Sequence, residues 1–187
     1  MRLFVAVNLP DAVRSAAWNS AAPLRGAGFP VKWVAVDALH LTLKFLGEVG
    51  PERQTEVQDA VSAAASGSAR FVMSLAGFGA FPNSRRPRVI WLGCESESEL
   101  ELLVHRVEQQ MSEIGFQLEG RPFHPHLTLG RVRRDARPAS LVGLDDMLQR
   151  LQFQSQTVVE SVDLMQSELS RAGARYTRLY CAKLDSP

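Results

Sequence analysis

The chain has 187 residues, 45% hydrophobic and 22% charged, with 21 lysines and arginines against 20 aspartates and glutamates. The balance, 21 − 20 = +1, excludes a histone-like polycation, so any contact with nucleic acid must come from local clusters. This length supports one domain, or two lobes sharing a core, without a disulfide or metal staple.

Residues 2–9 are apolar and β-branched, bounded by Pro10, and are expected to form a buried strand. Pro10 suits a first helical position, which predicts a helix over 11–25 ending near Gly26. Residues 32–36 and 39–46 come next as strands. Pro51 opens a helix through 65, with Val57, Ala60, Val61 and Ala64 on one face and Gly67 as its stop. Residues 70–78 and 88–93 form a strand pair around a loop holding Pro82, Asn83 and Pro87.

The next helix begins near Ser98, spaced from Glu101 as in a capping box. Its stripe is Leu100, Leu103, Val104, Val107, Met111 and Ile114, and Gly115 ends it. A strand over 123–132, a short helix over 138–151, and strands over 157–164 and 176–184 complete the chain. Mixed order without strict strand–helix alternation predicts an α+β fold with a largely antiparallel sheet. Cys94 and Cys181 are too few for a disulfide framework and favour a reducing compartment. The apolar run before Pro10 is shorter than a signal peptide's, and no stretch approaches the ~20 apolar residues of a membrane span. A soluble cytoplasmic protein with no membrane contact is expected.

One repeat carries the functional reading. His40-Leu41-Thr42-Leu43 recurs as His126-Leu127-Thr128-Leu129. With only 5 threonines in the chain, chance gives this tetrapeptide after two of four histidines with odds on the order of one in a million. In a strand, residues i and i+2 share a face. His40 and Thr42 would point one way, and so would His126 and Thr128, with the leucines turned into a core. The two copies would line opposite walls of one cleft.

Paired imidazoles suit acid–base work, because one is neutral while the other is protonated near neutral pH. Cleaving a phosphodiester needs both, plus donors for the phosphoryl oxygens, which the threonines supply. Arg131 adds a charged donor only if Gly130 permits a bulge, since strict alternation puts it on the other face. Lys44 shares a face with His40 and Thr42 by strand parity, which makes it a candidate for binding substrate.

The stretches His40-Leu41-Thr42-Leu43-Lys44-Phe45-Leu46-Gly47-Glu48-Val49 and Phe123-His124-Pro125-His126-Leu127-Thr128-Leu129-Gly130-Arg131 resemble the paired His-x-Thr-x signatures of the 2H phosphoesterases. The resemblance is to the RNA 2′,3′-cyclic phosphodiesterase branch, also called 2′-5′ RNA ligases. Residues 2–7, 33–40, 87–93 and 169–180 share it, so it spans nearly the whole chain. It implies a single domain over residues 1–187 with two pseudo-symmetric lobes of antiparallel sheet, each backed by helices, around a central groove. It further implies opening of an RNA terminal 2′,3′-cyclic phosphate to a 2′-phosphomonoester, without metal or cofactor. His126 would be the proton acceptor, His40 the proton donor, and Thr42 and Thr128 would hold the phosphate. It implies as well that such proteins can join RNA ends through 2′-5′ linkages, reversibly, in vitro.

Two other readings stand beside this one. The same machinery could serve small cyclic nucleotides, ADP-ribose cyclic phosphate or 2′-5′ oligonucleotides, or the protein could hold RNA ends without turnover. His124-x-His126 begins a zinc spacing but lacks a third ligand. His105 lies off its helix's apolar stripe and is expected in solvent. The basic runs Arg131-Arg133-Arg134-Arg137 and Arg85-Arg86-Arg88 are either solvated loops or contacts to further RNA phosphates. Phe45, Phe81 and Phe123 are candidates to stack a terminal base, although core packing is the favoured expectation for each. Cys94 and Cys181 are expected as small buried residues. Helices covering each sheet favour a monomer.

Overall fold

Runs rich in β-branched and aromatic side chains form the strands. They are β1 (Arg2–Asn8), β2 (Val31–Trp33), β3 (His40–Glu48), β4 (Phe71–Phe81), β5 (Val89–Cys94), β6 (His126–Val132), β7 (Gln154–Val159), β8 (Ser161–Ser170) and β9 (Gly173–Lys183). The helices are α1 (Asp11–Ser20), α2 (Ala22–Gly26), α3 (Gln54–Ala65), α4 (Ser98–Glu113) and α5 (Leu144–Arg150). The structure is a computed structural model and describes residues 1–95, 98–170 and 173–186. Arg171 and Ala172, within the 169–180 stretch that carries part of the family resemblance, lie outside the described residues.

Every pairing between these strands is antiparallel. The order across the sheet is β7-β4-β5-β6-β3-β1-β8-β9, with β2 added beside β6. Strands β3 and β6 share a single registered pair, Leu41 opposite Leu127. The sheet is therefore two four-stranded halves meeting at one seam, in keeping with the expected α+β class. A rotation about that seam relates β3 to β6, β1 to β5, β8 to β4 and β9 to β7.

The helices lie on one face of the sheet and exchange sides. Helix α4, which links β5 to β6, packs on β3 and against α3, and α3 lies on β8 and β9. Helices α1 and α2, which come after β1, pack instead on β7 and α5, and α5 covers β4. The apolar stripes explain the packing. Val57, Ala60, Val61 and Ala64 of α3 are buried, as are Leu100, Leu103, Val104, Val107 and Met111 of α4. One continuous core results, running under both halves. Gly115 ends the α4 segment at φ +90°, a conformation that glycine adopts without steric cost. Among the described residues no helix is long and apolar enough to cross a membrane.

Several expectations need correction. The helix opened by Pro51 starts as a 3₁₀ turn at Pro51–Arg53 before α3, the strand over 123–132 begins only at His126, and four further elements differ. The helix over 11–25 is broken at Ala21 (φ −88°, ψ 7°), because Pro23 has no N–H to continue it and instead sits in the first turn of α2. The strand over 32–36 stops at Trp33, and Val36–Ala38 form a 3₁₀ turn. Residues 138–151 divide into a 3₁₀ turn at Pro138–Leu141 and the helix α5. The stretch 157–164 is not one strand: β7 ends at Val159 on β4, and β8 begins at Ser161 on β1. No proline or glycine marks that break, so the chain passes from one half-sheet to the other without a local signal.

Leu41 and Leu127 are fully buried at the seam. Replacing Leu127 with Ala leaves a cavity where the halves join. The expected loss is about 3 kcal/mol of unfolding free energy, read from denaturant titration.

Candidate active site

Opposite the helices, the two repeated motifs lie side by side at the seam, on adjacent strands and not on opposite walls of a cleft as expected. The sheet face they share is the groove side of the molecule. Continuing the Leu41–Leu127 register by one residue sets His40 toward Thr128 and Thr42 toward His126. With the leucines buried on the helix side, both histidines and both threonines stand half-buried on the groove side.

The two imidazoles are held alike. His40 Nδ1 donates to the Ala38 carbonyl at 2.8 Å, and His126 Nδ1 donates to the His124 carbonyl at 2.6 Å. A carbonyl only accepts, so each contact fixes the proton on Nδ1 and leaves Nε2 for the groove. The Thr42 hydroxyl donates to His40 Nε2 at 3.1 Å. Aromatic rings fix the planes. His40 lies 4.9 Å from Phe4 and 4.9 Å edge-on from Tyr176, while His126 lies 4.9 Å edge-on from Phe81. Phe81 rests in turn on Trp91. Asn8, the cross-strand partner of His40, donates from Nδ2 to the fully buried Asp163 carboxylate at 2.6 Å, which anchors that end of β1.

Both imidazoles titrate below the ordinary 6.5. Burial is the main cause in each case, partly opposed by the hydrogen bond to the backbone carbonyl. The Arg131 guanidinium then lowers both, and His126 lowers His40 further. One cation thus acts on both rings. Below 6.5 the unfolded chain takes up protons that the folded histidines resist. Their contribution to stability is therefore present above that value and lost as pH falls through the lowered folded values.

A bulge at the same step of each motif sets the facing of every residue beyond the threonine. In β3, Ala6 pairs with Thr42 and Val5 with Lys44, so Leu43 is an extra residue. In β6, Trp91 pairs with Thr128 and Ile90 with Gly130, so Leu129 is the extra one. Each bulge reverses the parity beyond it. Arg131 thereby joins His126 and Thr128 on the groove face, as the sequence required of a bulge. The same shift removes Lys44, correcting its expected place beside His40 and Thr42. Lys44 is buried on the helix side, where its ammonium donates to Glu108 Oε2 at 2.7 Å and to the Gln117 carbonyl at 2.8 Å.

Phe45 takes the groove position instead, equivalent to Arg131 by the pseudo-symmetry. It is 65% exposed with its ring 6.0 Å from Phe4, not in the core as expected. Gly130 is required for another reason. A Cβ there would stand 2.5 Å from Val31 and 2.8 Å from Trp33, so close packing of β2 excludes a side chain. Lys44 holds the equivalent place in β3 beside an identical bulge.

Of the remaining candidates, His105 is exposed, Phe123 is half-buried against the core, and Cys94 is buried with its thiol pushed up to about 12 by desolvation. Cys181 is only half-buried. Among the described residues no group of three His, Cys, Asp or Glu side chains could hold a metal ion. Sequence reasoning missed Phe4 and Tyr176 as the walls around His40. Tyr176 reaches the site from β9 at the sheet's edge, and no local spacing signals that path.

A two-part antiparallel sheet with one His-x-Thr strand from each part defines a 2H phosphoesterase. A family model of the 2′-5′ RNA ligase superfamily matches residues 13–171. A Methanothermobacter thermautotrophicus protein named RNA 2′,3′-cyclic phosphodiesterase is 35% identical over 98% of this chain and 99% of its own. The crystal structure of TT0787 of Thermus thermophilus aligns with a TM-score of 0.80 at 32% identity, covering 100% of this chain and 99% of that one. Escherichia coli LigT complexed with 3′-AMP aligns at 0.76 and 30% identity, covering 98% and 97%. The chain belongs to the 2′-5′ RNA ligase superfamily and is a phosphoesterase.

Two outcomes test this geometry. In Arg131→Gln, NMR titration of the imidazole carbons is expected to show both histidines moving to higher pKa, since a shared positive neighbour is gone. Lys44→Ala leaves the mostly buried Glu108 carboxylate without its cation. It is expected to cost about 3 kcal/mol in denaturant titration while leaving both imidazole titrations in place.

Proposed function

We propose that the protein hydrolyses the terminal 2′,3′-cyclic phosphate of RNA to a 2′-phosphomonoester, acting as a cytoplasmic monomer without a metal. The observation that carries this reading is the pair of imidazoles on one face of the sheet, each with Nδ1 tied to a backbone carbonyl so that proton transfer falls to Nε2, which in His40 meets only the Thr42 hydroxyl. The names of the relatives point the same way.

In this mechanism His126 Nε2 takes a proton from water as the water oxygen attacks phosphorus. The bond from phosphorus to the 3′ oxygen breaks, and His40 delivers its proton to that oxygen. One water is consumed, and the products are a free 3′ hydroxyl and a 2′-phosphomonoester. The Thr42 and Thr128 hydroxyls and the Arg131 guanidinium donate to the phosphoryl oxygens, where negative charge is held. Burial lowers the His40 pKa, and the anionic phosphodiester opposes this by favouring imidazolium when bound. With the 5′ hydroxyl of a second RNA in place of water, His126 takes that hydroxyl's proton as its oxygen attacks phosphorus. The 3′ oxygen leaves with the proton from His40, and a 2′-5′ linkage forms. The reverse of this step exchanges the two histidines' roles.

The test uses an RNA oligomer ending in a 2′,3′-cyclic phosphate, incubated with excess EDTA and monitored by phosphorus NMR. A 2′-phosphomonoester is expected. His40→Ala and His126→Ala are each expected to lower kcat by on the order of 10²–10⁴ with the circular dichroism spectrum unchanged. Near-wild-type rates in both variants would overturn the mechanism.

A further inference from the structure

Beside the histidine pair, the surface around β2 and β6 carries a concentration of unpaired positive charge. Lys32, Arg131 and Val89 lie on one rung across β2, β6 and β5. They line an open groove of about 870 Å³ together with Arg88, Arg133 and Arg134. Asp135 is the only acid among the residues lining it, so five cations face one carboxylate. Among the described residues none of the five is ion-paired, so their charge is left for whatever lies in the groove. Placing Lys32 directly across from Arg131 is unfavourable for an antiparallel pair, because like charges on one rung repel. Such repulsion is relieved when a polyanion lies across the strands.

The direction of this groove is informative. Arg131 belongs to both places, next to the imidazoles at one end and inside the cationic groove at the other. Arg133 lies two residues further along the chain, and its N–H bonds to the Pro30 carbonyl, which carries the β2–β6 pairing to that point. Two residues of strand advance roughly 6.6 Å, comparable to the separation of successive phosphates in an extended nucleotide chain. Beyond it, Arg134 begins a turn and brings a further guanidinium to the same groove.

We propose that this groove binds the phosphates upstream of the scissile one, so that the protein selects single-stranded RNA oligomers over cyclic mononucleotides. The proposal rests on the phosphodiesterase reading above and deepens it. A nucleotide carrying a terminal cyclic phosphate connects to the rest of its chain through its 5′ oxygen. With the cyclic phosphate between the histidines, the 5′ phosphate and its upstream neighbour reach the five cations. A mononucleotide with a 5′ hydroxyl has nothing to place there. Recognition is electrostatic and tracks the backbone, so it is indifferent to base sequence.

The test compares an RNA hexamer bearing a 2′,3′-cyclic phosphate with 2′,3′-cyclic AMP, using the wild type and the double variant Arg133→Gln/Arg134→Gln. A second double variant, Lys32→Gln/Arg88→Gln, approaches the same groove from β2 and from the residue that precedes β5. In each variant KM for the hexamer should rise several-fold, while kcat/KM for cyclic AMP stays at the wild-type value. Hexamer affinity, measured by fluorescence anisotropy against salt, should lose about 1.4 from its log–log slope, two single-strand phosphate contacts at ~0.7 each. An unchanged hexamer KM and slope would overturn the proposal. So would an equal loss for hexamer and cyclic AMP, which would mark damage to the histidine site. A wild type that binds the hexamer with this slope but turns over neither substrate would overturn the catalytic reading alone and leave the groove assignment standing.

Discussion

Leu41 and Leu127 meet at the seam with no exposed surface, and a strand cannot sink one residue without raising its neighbours. Burying each leucine side chain is worth about 2 kcal/mol. Rotating either strand to hide the polar residues would forfeit that and leave imidazoles and hydroxyls in the core without partners. The arrangement of His40, Thr42, His126 and Thr128 is therefore a consequence of core packing. The chemistry of the groove is displayed because the reverse side of the same two strands is dry.

A second constraint is laid over the first. Alternation alone would have turned outward the residue four positions after each histidine, Lys44 in one motif and Gly130 in the other. The paired bulges at Leu43 and Leu129 move that position one residue along, and the two halves then use it differently. On one side the outward residue is Phe45, packed on Phe4. On the other it is Arg131, which bears on both imidazoles. A symmetric frame thus carries an asymmetric groove, apolar and aromatic on one flank and cationic on the other. A nucleotide with a flat base and a charged phosphate has the same polarity.

Much of this was legible in the residues. The repeat, the face shared by His and Thr, the α+β class and the stripe of α4 stem from period and spacing, which are local properties. Arg131 was legible conditionally, since only a bulge brings it to the groove. Lys44 and Phe45 were misplaced because the bulge in β3 has no glycine to announce it, and strict parity assigned each to the other's face. The division of residues 157–164 into strands of opposite halves was hidden for a similar reason. Composition on either side of Glu160 is alike, and what parts β7 from β8 is the partner each finds across the sheet. Tyr176 beside His40 depends on the order of four strands, which no window of sequence contains.

The exchange of helices between the halves bears on how separable they are. Each half supplies the lid for the other's sheet: α4 leaves β5 to cover β3, and α1 leaves β1 to lie on β7. A fragment cut between the two motifs would carry strands with a bare apolar face and a helix with nothing beneath it. Two such fragments could satisfy each other only by trading helices. The duplication is therefore an interlock, in which neither copy of the motif can be held in its working geometry until the chain bearing the other has folded around it.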